Sequence, residues 1–145
     1  NNIRIYTGVL PGFEIFKKDS ALATVSVPTG LNIRHYSKKT SRIYYDLDFA
    51  NLVMILNGNQ YVGFSKVSMG VGLSPQLFGS ANHSYKAQFH LTYAHSFYGR
   101  GDLIGGGYEV EARSIPITAE YLKFTTNTIN LFLIGIKLPL FDIRL

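Results

Sequence analysis

Four groups of residues in this 145-residue chain have types and spacings that could do chemistry. His35-Tyr36-Ser37 sets an imidazole two positions from a hydroxyl, close enough for the His to activate the Ser as a nucleophile. No carboxylate stands nearby in sequence to orient that His, and the basic pair Lys38-Lys39 follows directly. A strand-end His before a turn Ser is the better account. Asp46-x-Asp48 places two carboxylates on one face of an extended segment, where they could hold a cation. Arg34, Arg42 and Lys66 could lie beside them, so charge neutralisation explains the pair more simply. His90 would share a face with Glu109 or Glu111 if their strands pair, which would suit acid–base or metal chemistry; polar filling of an interior is the plainer reading. Gly105-Gly106-Gly107 lacks the Gly-Lys-Ser/Thr continuation and the helix start of a phosphate loop. The chain has no Cys, which excludes disulfides, thiolate metal sites and thiol nucleophiles. We therefore expect no enzyme, no metal and no cofactor.

The elements that must position these residues are strands. Tyr85, Ala87, Phe89, Leu91, Tyr93 and Phe97 alternate with Lys86, Gln88, His90, Thr92, Ala94 and Ser96. Val67, Met69, Val71 and Leu73 alternate in the same way with Lys66, Ser68, Gly70, Gly72 and Ser74. Two earlier segments repeat the pattern, Ile43 to Phe49 and Val25 to Arg34. A period of two over consecutive segments means an antiparallel sheet. Polar breaks at 17–20, 37–41, 57–59, 79–84, 99–102 and 125–128 supply the turns, with Asn57-Gly58 the strongest hairpin signal. The expected strands are 2–16, 21–36, 42–56, 60–78, 84–98, 104–123 and 128–144, with an eighth hidden by a split at a proline or lying beyond the ends.

These segments exceed the roughly five or six residues usual in soluble strands, and a membrane-crossing strand needs about 9–11. Their polar face carries opposite charges on neighbouring strands: Arg34 against Asp46 and Asp48, then Lys66, then Lys86 and His90, then Glu109, Glu111 and Arg113. Gly70, Gly72, Gly105 and Gly107 share that face. In a closed barrel the arrangement gives a charged, plugged lumen inside an apolar band. In a soluble barrel the same alternation faces water and the apolar side becomes the core. Segments 51–56 and 129–136 are apolar on both faces and would need lipid, a ligand or a partner to cover them. Five prolines (Pro11, Pro28, Pro75, Pro116 and Pro139) fall inside apparent strands, implying bulges or strands split in two. Splitting would favour a sandwich.

Charge and composition narrow the class. Hydrophobic residues make up 46% and charged residues 16%, against about 25% charged in ordinary soluble domains. The net charge of +5 is scattered along the chain, so no nucleic-acid surface is expected. No run approaches the roughly 20 apolar residues of a membrane helix. A start at Asn1-Asn2 suggests a processed chain or a fragment.

Three short motifs carry a resemblance. VSVPTGLNIRHY (25–36) resembles the IPLxLxYxY strand of small outer-membrane barrels of the porin-superfamily type, as found in Bacteroidetes. MGVGLSPQLF (69–78) is similar to their GxGPxxxxL strand, with a looser likeness in GVLPGFEI (8–15). Gly135 to Leu140 resembles a barrel-assembly signal, although Pro139 interrupts it and the chain ends on Leu145 instead of an aromatic residue. His35-Tyr36-Ser37 is similar to the His-x-Ser of outer-membrane lipid A deacylases, but stands at the end of the second segment, whereas theirs lies in a late strand.

The expectation is thus an all-β, antiparallel up-and-down barrel of about seven or eight long strands, one unit over 1–145, spanning the outer membrane of a Gram-negative bacterium. It would serve a structural, assembly or accessory-subunit role, in contact with membrane lipid or lipopolysaccharide and with other outer-membrane subunits. The competing readings are a soluble barrel holding a hydrophobic ligand and a β-sandwich assembly subunit of capsid type.

Overall fold

In a computed structural model, eight antiparallel strands pair in sequence order and close into a barrel. The structure describes residues 2–17, 20–37, 43–56, 60–73, 86–97, 101–112, 115–126 and 129–144. The strands are β1 (Asn2–Lys17), β2 (Ser20–Tyr36), β3 (Ile43–Leu56), β4 (Gln60–Leu73), β5 (Lys86–Ser96), β6 (Asp102–Ala112), β7 (Ile115–Phe124) and β8 (Asn130–Arg144). Closure comes from β1 pairing with β8, from Asn2 opposite Arg144 to Ile15 opposite Asn130. A closed sheet has no open edge, which disposes of the sandwich alternative.

The segment expected as one strand over 104–123 is two, β6 and β7, joined at 113–114 and paired from Leu103–Phe124 to Ala112–Ile115. Pro116 follows that connection as the second residue of β7. The other prolines among the described residues stay within continuous strands, contrary to the splitting they suggested. Beside Pro28 the β1–β2 ladder lapses between Thr7–Thr29 and Leu10–Ser26. Beside Pro11 the β1–β8 ladder lapses between Val9–Ile136 and Gly12–Leu133. Pro139 adjoins a register shift that leaves Leu140 without an opposite residue, the bulge that a residue lacking an N–H demands. Pro75 lies outside the described residues.

Two ends can be told apart. The connections β1–β2, β3–β4, β5–β6 and β7–β8 lie at one end, here the turn end; both chain termini lie at the other, the terminal end. Alternation divides inside from outside along every strand, as in β7, where exposed Ile115, Ile117, Ala119 and Tyr121 alternate with buried Pro116, Thr118, Glu120 and Leu122. The interior has two tiers. Near the turn end Leu10, Leu52, Met54, Val62, Phe64, Leu103, Leu122, Phe124, Leu131 and Leu133 form one apolar cluster. Segments 51–56 and 129–136 are apolar on both faces for this reason: their inward residues join that cluster while Val53, Phe132 and Ile134 point out. Apart from Glu14, buried at the level of Leu131, the inward charged residues lie on the terminal-end side of this cluster.

Candidate functional site

The candidate site is the charged tier of the interior. Arg34, inward on β2, faces Asp46 in register on β3 and reaches it through two contacts, Nε–Oδ1 2.8 Å and Nη2–Oδ2 3.0 Å. A planar guanidinium matches a carboxylate in this two-pronged way, which a lysine could not do. The third Arg34 nitrogen donates to Glu111 Oε2 at 2.9 Å, and Arg4 donates to Glu111 Oε1 at 3.2 Å. Glu111 on β6 therefore ties β1 to β2, and Arg4 extends the chain of contacts to Asp142 on β8 at 2.8 Å. Gln88 adds an amide donor to Asp46. The Arg34 guanidinium lies 4.1 Å from the centre of the Tyr44 ring. Tyr44 in turn fills the space over Gly72, where any side chain would collide with the ring.

A second cluster centres on Asp48 and Lys137. The Tyr6 hydroxyl donates to Asp48 at 2.7 Å, and Lys137 Nζ stands 3.3 Å from Asp48 and 2.9 Å from Glu109. A third joins Lys66 and His90, each 3.2 Å from the same Oε1 of Glu120. Ser68 and Thr92 hydrogen-bond between β4 and β5 at 2.8 Å. Arg4, Arg34, Lys66 and Lys137 thus meet Asp46, Asp48, Glu109, Glu111 and Glu120, while Lys86 donates to the Tyr36 hydroxyl. Burying an ion is tolerable only when partners and hydrogen bonds replace its hydration, and here each carboxylate has at least one cation within reach.

Of the residues expected here, Arg34, Asp46, Asp48, Lys66, Lys86, His90, Glu109 and Glu111 all point inward; Arg113 lies outside the described residues. Their pairing differs from expectation. Only Arg34–Asp46 is an ion pair between adjacent strands on the expected partners. Asp48 takes its cation from β8, not from Lys66, and His90 meets Glu120, not Glu109 or Glu111. The lumen of eight strands is narrow enough that long side chains meet across it. Arg4, Tyr6, Glu120 and Lys137 were missed. The parity of β1 (Arg4, Tyr6, Leu10 and Glu14 on one face) would have found the first two. Glu120 was hidden because fusing β6 and β7 into one strand reverses its face.

The other chemistry candidates disperse. His35 is exposed on the outer wall, Tyr36 accepts a 2.8 Å contact from Lys86, and Ser37 donates its backbone N–H to Ile43. Among the described residues no three His, Cys, Asp or Glu side chains could hold a metal ion. Outside the barrel at the turn end, Asp102 accepts from Tyr93 and stands 2.7 Å from His95 Nδ1.

No protein-family model matches the chain, and no curated protein matches it. Among solved structures it is similar to Ail, the attachment invasion locus protein of Yersinia pestis, at 12% identity over 98% of each chain with a TM-score of 0.29. A likeness that slight carries no argument, and the function must be read from the barrel itself.

Proposed function

We propose that this chain is a small outer-membrane β-barrel that crosses the bilayer with its apolar wall in lipid and a closed, charged lumen. Its role on this reading is structural, as an assembly or accessory subunit of the outer membrane of a Gram-negative bacterium. The observation that carries the reading is the direction of the side chains. Among the described residues 29 large hydrophobics are exposed and 14 hydrophobics are buried. Every strand contributes to the outer set, including Val9, Val27, Phe49, Met69, Leu91, Tyr108, Ile117 and Ile134. Water-soluble monomers rarely expose a continuous apolar patch beyond a few hundred Å². In lipid the same surface is satisfied, and closure satisfies the backbone.

Strand length agrees. The strands run from 10 to 17 residues, at or above the roughly 9–11 needed to cross. Exposed aromatics gather toward both ends, Tyr61 and Phe97 near the turns and Tyr45 and Phe141 near the termini, where amphipathic rings suit the lipid–water boundary. The soluble alternative required the apolar face to turn inward around a ligand. The barrel is built the other way round.

The packing of the interior supports a closed lumen. The apolar tier leaves Met54, Phe64 and Leu131 fully buried across the turn-end half, and the ion pairs stand across the middle, below a polar cavity of about 290 Å³ that Arg4, Arg34 and Lys86 line at the terminal end. Such an interior suits a scaffold better than a pore. The outer wall then remains for contact with membrane lipid, lipopolysaccharide or other outer-membrane proteins, consistent with the porin-type resemblance of 25–36 and 69–78. Membrane fractionation tests the reading: the chain should require detergent for extraction and then migrate differently on gels before and after heating. Stable monomeric behaviour in plain buffer would overturn it.

A further inference from the structure

The outer wall is not uniformly convex. Across β5 to β8 and onto Gly12 and Phe13 of β1 it carries an apolar groove of about 920 Å³. Its floor is made by two small outward residues on adjacent strands. Gly106 stands in register between Leu91 and Tyr121, and Ala119 between Tyr108 and Ile134. At Gly106 a Cβ would press on the His90 carbonyl oxygen, so the backbone itself forms the floor there. Tyr121 and Phe132, with ring centres 4.9 Å apart, wall one side.

The groove has one polar end. Lys123, outward and exposed on β7, lines it at the turn end. There the Tyr121 hydroxyl donates to Asn130 at 2.8 Å. From Lys123 to Ala119 the strand rises about 13 Å, so the cation and the floor of the groove are aligned along one extended path. An apolar channel ending in a cation near the lipid–water boundary has the polarity of a single amphiphile: hydrocarbon in the groove, negative charge at the ammonium. A neighbouring barrel would offer a convex wall, which fills a concave groove poorly.

Resting on the membrane reading above, we infer that this groove holds one acyl chain of an anionic phospholipid, with the headgroup phosphate against Lys123. The site would select one lipid from the surrounding bilayer by shape and by charge. Lipid tails offer no hydrophobic gain over the bulk membrane, so packing and the ion pair must supply the preference.

The test uses the full chain in phosphatidylcholine nanodiscs containing a minority of phosphatidylglycerol with a photoreactive diazirine near the end of one acyl chain. Labelling should concentrate several-fold on residues 104–108, 119–123 and 132–134 relative to the outward residues of β2 to β4. K123Q should lower that labelling several-fold for phosphatidylglycerol and leave labelling by a phosphatidylcholine analogue unchanged. A119F, which fills the floor, should lower both. Even labelling around the barrel, or K123Q without effect, would overturn the inference while leaving the membrane reading intact. Barrel-to-barrel cross-links through this face would replace the lipid with a second copy and also overturn it. A chain that stays in the aqueous fraction and takes up no label would overturn both.

Discussion

Arg34 and Asp46 face each other in register across β2 and β3, and their side chains meet in a two-pronged ion pair inside the barrel. Because both are buried, the pair is a commitment as well as a contact: neither group can lose its partner without leaving a charge stranded in a poorly solvated lumen.

Breaking that pair from one side should therefore be expensive. R34M leaves Asp46 and Glu111 short of a cation, and D46L leaves Arg34 with Glu111 as its one acidic partner. Each should destabilise the folded barrel by about 3–5 kcal/mol, the range for removing one partner of a buried pair. Urea unfolding in lipid vesicles measures it. The double variant R34M/D46L should recover part of the loss, whereas additive losses would show that the two side chains act independently.

Glu120 holds Lys66 and His90 on one oxygen, so its loss should exceed that of either partner. E120Q strands the Lys66 ammonium, while H90Q leaves Lys66 paired with Glu120. The expected order of destabilisation is E120Q greater than H90Q, read from the same unfolding curves. The reverse order would place the cost in the ring packing of His90.

The closed lumen proposed above should not conduct. Planar-bilayer recordings of the refolded chain should show no steady open level. Removing bulk from the apolar tier with F64A and L131A together should bring intermittent conductance, because those two side chains are fully buried there. A stable conducting state in the unaltered protein would refute the closed lumen.

The outer wall should be depth-sensitive. M69R and L91R place a charge on register-paired outward positions of β4 and β5, well within the apolar band. Each should destabilise the barrel in a bilayer by about 2–4 kcal/mol, the range for Arg near the membrane midplane of such barrels. If both proved neutral, the wall would be facing water.

Much of this architecture was legible from alternation alone. Tyr85 to Phe97 announced a strand because every second residue is bulky and apolar, and the inward direction of Lys86, Gln88 and His90 followed once a barrel was assumed. Alternation identifies two faces but not which is inside, so the soluble barrel stayed open until the side chains of Met69 and Leu91 proved exposed. The β6–β7 connection was illegible because 113–114 carries no Gly, Asn or other strong turn signal, and Pro116 read as an interruption instead of the start of a strand. Ion-pair partners were only partly legible. Arg34–Asp46 depends on neighbouring strands, which sequence order supplies; Lys137 with Asp48 and Glu109 depends on closure, which brings β8 across from β3 and β6. The groove over Gly106 and Ala119 needed the register of four strands and had no signature in the sequence.

Spin-label accessibility along β5 tests the central claim most directly. The chain contains no Cys, so single cysteines at positions 87 to 94 can be labelled one at a time without background. In lipid vesicles, labels at the outward positions 87, 89, 91 and 93 should be readily relaxed by oxygen and poorly by a water-soluble nickel complex, with a period of two along the strand. Easy relaxation by the nickel complex at 89 and 91 would put that face in water and contradict the membrane barrel.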